Sequence, residues 1–258
     1  MTNQFPERLS RLRLLLKDEG LINLNNATVM VLGLGGVGSS CVTALARGGV
    51  GNLIILDRDT VEESNINRQM VAFYSTIGRV KVDVMTELIK DINPNCNVIG
   101  RQEFLTKETI GQALSQYPRP DYIIDCIDTV SQKLALAQWC MEENIPLLSS
   151  MGAANKLDPT HFKFDYIEKT KYCPLSKVIR TECRRRGIKN LEVLYSDEMP
   201  PQLQTQSGGS KAQTLGSMSY MPPIAGQMLA GKIILRLSGL EKFKVTPVAT
   251  KPKLKQHK

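Results

Sequence analysis

Short apolar runs alternate with longer segments of helical periodicity along the first 150 residues. Residues 29–32 and 53–56 are continuously apolar and flanked by turn residues, which indicates buried strands. Further strands are predicted at 98–99, 122–127 and 146–149, and helices at 39–49, 78–92, 107–115 and 129–143. This alternation predicts an α/β fold with a doubly wound, mostly parallel sheet whose ligand lies at the carboxyl ends of the strands.

The pattern differs on both sides of this alternation. A short amphipathic helix is predicted at 7–16, an extended excursion at 156–167, a basic helix with proline in its first turn at 174–186, and an apolar docking helix at 222–240. Residues 199–215 are polar and rich in proline and glycine, which predicts a mobile loop. We therefore expect a nucleotide-binding core at 1–155, an extension at 156–240 packed on the same domain, and a disordered basic tail at 241–258.

Four glycines follow the first predicted strand, at positions Gly33, Gly35, Gly36 and Gly38. Glycine lets the backbone turn sharply and approach a phosphate without an intervening Cβ, and the next helix then directs its unpaired N–H groups at that phosphate. The second strand ends in Asp57, near the spacing expected of a carboxylate that binds a ribose hydroxyl. The pattern predicts a Rossmann-like nucleotide site; the alternative is close strand–helix packing without a ligand.

Composition narrows the class of protein. The chain has 258 residues, six cysteines and two histidines. The cysteines form no C-x-x-C pair, so reduced thiols are expected rather than a zinc site or a disulfide framework. No apolar run is long enough to cross a membrane and residues 1–6 lack a signal-peptide pattern, so a soluble, cytoplasmic protein is expected.

The formal net charge is +8, and the positive residues concentrate at 169–189 and 242–258. A cationic surface on a nucleotide-binding protein favours a polyanionic substrate such as RNA. The alternative is a solvated surface and tail that serve solubility.

Beyond the second strand the chain has more polar and charged groups than a dinucleotide requires. Arg68 and Lys81 are suited to neutralising a triphosphate attacked at its α-phosphate, and Asp128 is suited to holding Mg²⁺. The implied reaction is adenylation of a carboxylate with release of pyrophosphate. Taken singly, Lys81 also fits a surface lysine, Asn65 a helix cap and Asp125 a structural acid. The predicted nucleotide-binding side chains are Asp57, Asp59, Asn65, Arg68, Gln69, Lys81 and Asp128.

These motifs resemble the ThiF/MoeB/ubiquitin-activating-enzyme superfamily over roughly residues 8–150. The matching residues are Gly33-x-Gly35-Gly36-x-Gly38, Asp57-x-Asp59, Ser64-Asn65-x-Asn67-Arg68-Gln69, Gly78-x-x-Lys81 and Asp125-x-x-Asp128. The resemblance implies ATP as substrate, with Asp57 on the ribose, Asp128 on Mg²⁺, and catalytic roles for Arg68 and Lys81. It also implies a homodimer in which Arg11 reaches the triphosphate of the opposite subunit. Around Arg11 the family's tyrosine is a leucine and its glutamine is missing.

The second half separates branches of this superfamily. The paired C-x-x-C motifs and the acceptor cysteine of branches that act on sulfur-carrier or ubiquitin-like proteins are missing. Residues 169–180, 184–187 and 216–222 instead resemble the tRNA threonylcarbamoyladenosine dehydratases. That branch implies ATP-dependent cyclisation of threonylcarbamoyladenosine beside the anticodon through an acyl-adenylate, with the nucleophile supplied by the nucleoside itself. The predicted tRNA-binding side chains are Lys177, Arg180, Arg184, Arg185 and Arg186.

Several alternatives stay open at this point. An adenylyltransferase acting on a Gly-Gly protein tail would need no RNA, and a non-catalytic nucleotide sensor would tolerate loss of Arg68 and Lys81. A dehydrogenase is disfavoured because Asp59 and Arg68 have no role around nicotinamide. Cys173 fits a reactive thiol near cations or, better, a buried thiol without a function. Whether sulfur-transfer proteins act as partners is also open.

Overall fold

The computed structural model describes residues 5–199 and 215–241. Its centre is a seven-stranded sheet with the order β3-β2-β1-β4-β5-β7-β6, in which every pair is parallel except β6 with β7. The predicted fold class is confirmed. The strands are β1 Thr28–Leu32, β2 Asn52–Asp57, β3 Asn97–Gln102, β4 Tyr122–Asp125, β5 Leu147–Ser150, β6 Phe162–Tyr166 and β7 Glu192–Ser196.

Helices cover both faces of the sheet, as parallel strands require. The helices are α1 Ser10–Asn26, α2 Gly36–Arg47, α3 Lys81–Ile92, α4 Ile110–Leu114, α5 Val130–Glu142, α6 Pro174–Arg186 and α7 Met221–Leu237. Alternate residues of β1 point into two apolar layers: Val29 and Val31 pack with α2, α3 and α7, and Met30 and Leu32 pack with α4 and α5. A third cluster joins α5 to α6.

Close packing of α7 on α2 ties the extension to the core. A Cβ at Gly226 would lie 2.2 Å from the carbonyl oxygen of Val37, so only glycine permits this approach. The same packing brings Pro222, at the start of α7, against the start of α2, where a Cβ at Gly36 would lie 2.8 Å from the Pro222 Cβ. The extension therefore helps to shape the glycine turn.

Two elements differ from the sequence prediction. The predicted short helix at 7–16 continues to Asn26, with a break at Lys17 (φ 58°, ψ −177°). Its second half is stabilised by burial of its own side chains Leu21 and Leu24. Strand β7 was not predicted at all, and it inserts between β5 and the antiparallel edge strand β6. The extension thus continues the sheet of the core across residue 155.

Two of the other predictions concern the loop and the tail, and a third concerns membrane-spanning helices. Most of the loop predicted at 199–215 and of the tail predicted at 241–258 lies outside the described residues. Within the described ranges, none of the helices has the length and apolar character needed to cross a membrane.

Candidate active site

The glycine turn connects β1 to α2 at the carboxyl edge of the sheet. Gly33 has φ +90°, and a Cβ there would lie 2.8 Å from the carbonyl oxygen of Cys126. A Cβ at Gly38 would lie 1.8 Å from the carbonyl oxygen of Gly33, whereas a Cβ at Gly35 would meet nothing within 4 Å. Gly33 and Gly38 are therefore needed for the turn itself, and Gly35 faces open space beside the first N–H groups of α2. That is the geometry of a phosphate site.

The turn predicts a contrast between two alanine substitutions. Gly38→Ala should destabilise the fold strongly, because backbone would have to move to relieve a 1.8 Å contact. Gly35→Ala should leave the melting temperature unchanged and weaken ATP binding by about 10-fold or more, since its methyl group would enter only the space left for phosphate. Thermal unfolding and ATP titration of both variants would test this, and unchanged ATP affinity in Gly35→Ala would contradict the phosphate assignment.

Asp57 ends β2 directly beside the turn. Its Oδ2 accepts a hydrogen bond from the Leu34 N–H at 2.5 Å, and its Oδ1 accepts one from the Asp59 N–H at 2.7 Å. Burial raises the pKa of Asp57, and the two N–H donors oppose that rise. The carboxylate thus joins the second strand to the glycine turn, and its remaining lone pairs are available to a ribose hydroxyl.

Lys81 begins α3 and is almost completely buried, with 4% of its surface exposed. Its Nζ lies 3.1 Å from Asp59 Oδ2, while the Asp59 side chain remains about half exposed. A backbone hydrogen bond from Lys81 N–H to the Asp59 carbonyl oxygen holds the two segments together. A buried ammonium beside an open acid is a fixed positive charge that a phosphate can share.

The segment after Asp59 folds over the first turn of α2. The Met70 N–H donates to Ser39 Oγ, and Arg68 Nη1 donates to the Ser64 carbonyl oxygen and to Asn67 Oδ1. The Arg68 side chain lies against Gly36, where an added Cβ would lie 3.1 Å from Arg68 Cγ. The structure therefore places Arg68 at the glycine turn.

Two predicted amides of this segment behave differently. Asn65 is buried and its Oδ1 accepts the Glu62 N–H, so it stabilises the local turn. Gln69 is also buried, but its Oε1 has no hydrogen-bond partner in the described structure. A buried oxygen without a partner costs free energy, and a donor on a bound ligand would satisfy it.

A buried polar network lies at the ends of β4 and β5. Asp125 Oδ2 contacts Lys133 Nζ at 2.9 Å and accepts the Ser149 hydroxyl at 2.6 Å, while its Oδ1 accepts the Ile127 N–H at 3.0 Å. Lys133 also donates to the Ser150 carbonyl oxygen at 2.7 Å. Asp125 is therefore structural. Its partner Lys133 was not predicted from the sequence, where its only signal is its position one helical turn inside α5.

Asp128 lies in the loop that this network holds, and it is exposed. Its Oδ1 accepts the Thr129 hydroxyl at 3.2 Å. The described residues contain no group of three or more histidine, cysteine or acidic side chains placed to hold a metal ion. Any metal at Asp128 would therefore need oxygen ligands from phosphates and water, which is how Mg²⁺ is usually bound beside nucleotides.

Two cysteines, Cys126 and Cys173, lie near this edge of the sheet. Burial raises the pKa of Cys126 to about 12, so its thiol stays protonated at neutral pH. Cys173 is buried and its Sγ accepts the Ser176 N–H at 3.4 Å as the cap of α6. The thiol of Cys126 therefore does not resemble an acceptor of an activated carboxylate, and the thiol of Cys173 caps a helix.

The segment 215–220, in which the sequence predicts no site residue, closes the edge from the side of the extension. Asn67 Nδ2 donates to the Ser217 carbonyl oxygen at 3.1 Å, and Asn155 exchanges hydrogen bonds of 2.7 and 2.9 Å with the backbone of Gly216. Tyr220 donates its hydroxyl to the Leu157 carbonyl oxygen at 2.8 Å. The extension therefore contributes a wall beside residues 64–69.

Two groups of predicted site residues lie elsewhere. Arg11 is exposed near the start of α1, which packs at the opposite, amino edge of the sheet. There Leu9 lies 3.4 Å from an added Cβ at Gly49, just before β2, and Arg8 donates to Asn93 Oδ1, just before β3. Helix α6 begins near the carboxyl edge, with Leu175 close to Gly152, and ends at the amino edge. Lys177 is therefore nearer to the glycine turn than the remaining predicted tRNA-binding residues, which are Arg180, Arg184, Arg185 and Arg186.

Comparison with known proteins gives the following matches. The sequence profile of the ThiF family matches residues 8–257. A tRNA threonylcarbamoyladenosine dehydratase of Bacillus subtilis is 42% identical over 248 residues, 92% of this chain and 95% of that protein. The structure of the Escherichia coli tRNA N6-threonylcarbamoyladenosine dehydratase TcdA in complex with ATP has a TM-score of 0.82 at 29% identity, covering 90% of this chain and 94% of that chain. The adenylyltransferase and sulfurtransferase MOCS3 of Drosophila yakuba is 27% identical over 91% of this chain and 49% of that protein.

Proposed function

The chain belongs to the ThiF family and, within it, to the tRNA threonylcarbamoyladenosine dehydratases, and from this premise we propose that it uses ATP to cyclise threonylcarbamoyladenosine in tRNA. The observation that carries the proposal is buried Lys81 with Arg68 around an open glycine turn, in a chain that matches the dehydratases through both core and extension. The E. coli relative has been solved with ATP and with AMP.

The first step joins the threonyl carboxylate to AMP. A carboxylate oxygen attacks the α-phosphorus of ATP, and the bond to the leaving pyrophosphate breaks. Lys81 and Arg68 stabilise the negative charge that develops on the phosphates, while Asp57 binds the ribose and Gly35 lets the phosphates approach the start of α2. Lys81 is buried and its Nζ is held 3.1 Å from Asp59 Oδ2, so this positive charge is in position before ATP binds.

The second step closes the ring. The carbamoyl group of the same nucleoside attacks the acyl carbon, AMP leaves with the former carboxylate oxygen, and the carbamoyl group loses a proton. The nucleoside has then lost the elements of one water molecule. Because the nucleophile arrives with the substrate, proximity replaces a covalent enzyme intermediate, in agreement with the protonated thiol of Cys126.

Asp128 is the residue proposed to hold Mg²⁺. Its exposed carboxylate, with no neighbouring cluster of acids in the described ranges, fits an ion shared with phosphates rather than a cage built of protein ligands. When bound, Mg²⁺ supplies charge neutralisation on the phosphates. Asp125 contributes by holding the N–H of Ile127, and with it the loop that carries Asp128.

We also propose that the active form is a homodimer in which Arg11 acts on the opposite subunit. Arg11 lies at the amino edge of its own sheet, so it cannot reach the glycine turn of the same chain without moving α1. Mixing inactive Arg11→Ala and Lys81→Met proteins should restore about a quarter of wild-type turnover, since half of the dimers are mixed and each has one intact site. Subunit exchange followed by pyrophosphate release measures this, and no recovery would contradict action across the dimer.

The decisive experiment compares ATP turnover to AMP and pyrophosphate with threonylcarbamoyl-modified tRNA and with the same tRNA lacking the modification. Turnover only with the modified tRNA, together with loss of one water mass from the nucleoside, is the expected result. Turnover with a small Gly-Gly-tailed carrier protein and none with either tRNA would instead support an adenylyltransferase, the alternative favoured by the more distant MOCS3 match.

A further inference from the structure

A pocket of about 340 Å³ opens at the amino edge of the sheet, away from the glycine turn. Its walls come from the end of β6, the last turns of α6 and residues 187–190, which lead into β7. Strand register places it at the amino end, because Tyr166 pairs with Glu192, the first residue of β7. The candidate active site does not include this pocket.

The pocket is strongly cationic. The described residues that line it include Lys169, Arg180, Arg184 and Lys189, with Glu168 as their single acid. That acid is already engaged, since Glu168 Oε1 accepts the Asn190 N–H at 3.0 Å. The pocket therefore has an excess of positive charge.

The neighbouring charges leave much of this excess uncompensated. Glu182 pairs with Arg185 at 2.9 Å and lies 3.7 Å from Arg186. Its carboxylate is therefore engaged with these two arginines and does not neutralise Arg184. Lys169 lies 3.7 Å from Asp165 with two thirds of its side chain exposed. No ion pair involving Arg184 or Lys189 occurs among the described residues. Phosphate is the common ligand that such a set of cations recognises.

The pocket also has apolar lining residues. Cys183 and Ile188 are buried at its base, and the half-buried ring of Tyr166 forms one side, with Lys169 Nζ 5.8 Å from the ring centroid. An aromatic face beside cations suits a nucleotide, whose base stacks while its phosphate is neutralised.

The pocket lies about one helix length from the carboxyl edge of the sheet, the edge that carries the glycine turn. Leu175, in the first turn of α6, is next to Gly152 just beyond the carboxyl end of β5, and Arg184 is in the last turn. At 1.5 Å per residue, the 13 residues of α6 span about 20 Å. One stacked strand advances about 3.4 Å per nucleotide, so this span corresponds to about six nucleotides.

We propose that this pocket binds an unstacked nucleotide of the RNA substrate, its phosphate among Lys169, Arg184 and Lys189 and its base against Tyr166, about one α6 length from the reacting nucleoside. The inference rests on the proposed function, since it assumes an RNA substrate. The pocket binds the RNA away from the reacting nucleoside. It therefore raises the affinity for RNA without contacting a reacting atom.

The test uses the full chain and compares two double variants that each remove two positive charges. Lys169→Ala with Lys189→Ala empties the pocket of two cations, whereas Arg185→Ala with Arg186→Ala removes two from the same helix end outside the lining. The pocket pair should raise KM for modified tRNA by about 10-fold, leave kcat unchanged and lower the slope of log affinity against log salt by about 2. Although the sequence predicts that Arg185 and Arg186 bind tRNA, this pair should have a clearly smaller effect, because Glu182 lies 2.9 Å from Arg185 and 3.7 Å from Arg186 and both lie outside the pocket.

Tyr166→Leu tests the stacking wall separately. It should weaken tRNA binding by about 10-fold without changing the salt slope, because it removes a ring and no charge. Equal losses in the two charge pairs together with unchanged binding by Tyr166→Leu would overturn the pocket, since they indicate a diffuse basic surface.

A short modified oligonucleotide of about three nucleotides, too short to span α6, separates this inference from the proposed function. The Lys169→Ala/Lys189→Ala variant should cyclise it as well as wild type does. Failure of wild type to cyclise either RNA would contradict the proposed function, whereas wild-type turnover with an unchanged tRNA KM in the variant would contradict the pocket alone. If the variant lost affinity for free AMP and kept its affinity for tRNA, the ligand would be a mononucleotide and the RNA assignment would be wrong.

Discussion

Replacing Lys81 by methionine is expected to lower the rate of pyrophosphate release by about 10²–10³-fold with little change in stability. Methionine fills the buried space of the lysine stem but removes the ammonium 3.1 Å from Asp59 Oδ2. The stability cost is small because the Asp59 carboxylate is about half exposed and water can solvate it. The loss of catalysis is larger because methionine carries no charge to stabilise the phosphates as negative charge develops on them.

The measurement is single-turnover release of pyrophosphate at saturating ATP and modified tRNA, with thermal unfolding of the same preparations. Lys90→Met is the matched control, because Lys90 lies in the same helix and donates to the Cys96 carbonyl oxygen away from the site. It should release pyrophosphate at the wild-type rate. Unchanged turnover in Lys81→Met would remove this lysine from the chemistry.

Lys133→Met is expected to destabilise the fold by about 3–5 kcal/mol. The substitution leaves the Asp125 carboxylate, fully buried between β4 and β5, without its counter-ion. It also leaves the Ser150 carbonyl oxygen without the donor 2.7 Å away. A buried charge without a partner is much more costly than the loss of a pair as a whole.

The double variant Lys133→Met/Asp125→Asn supplies the control. Asparagine keeps an acceptor for the Ile127 N–H and carries no charge, so the double variant should regain most of the stability lost by the single one. Urea unfolding of the two variants and wild type measures the difference. A single variant that loses less than about 1 kcal/mol would show that the ion pair contributes no more than an exposed one.

Residues that are close in sequence or at the ends of neighbouring strands were predictable. The turn from Gly33 to Gly38, the acid Asp57 after β2, and Lys81 at the start of α3 follow from local pattern, because parallel strands all end at one edge. The structure brings each of these residues to that edge. The direction of α6 was the main feature that the residue pattern did not predict. A basic helix has the same sequence pattern whichever of its ends lies near the site.

The sequence by itself determined the class of sheet, the glycine turn and the group of charges around it, because hydrophobic period and turn chemistry act over a few residues. Only the tertiary structure decided what distant segments do to one another. It inserted β7 next to β5, gave Asp125 its buried partner Lys133, and carried Arg11 and Arg184 to the far edge of the sheet. These outcomes depend on which strands pair with each other and on which buried charges find a partner from a distant segment. The hydrophobic period of a single segment determines neither.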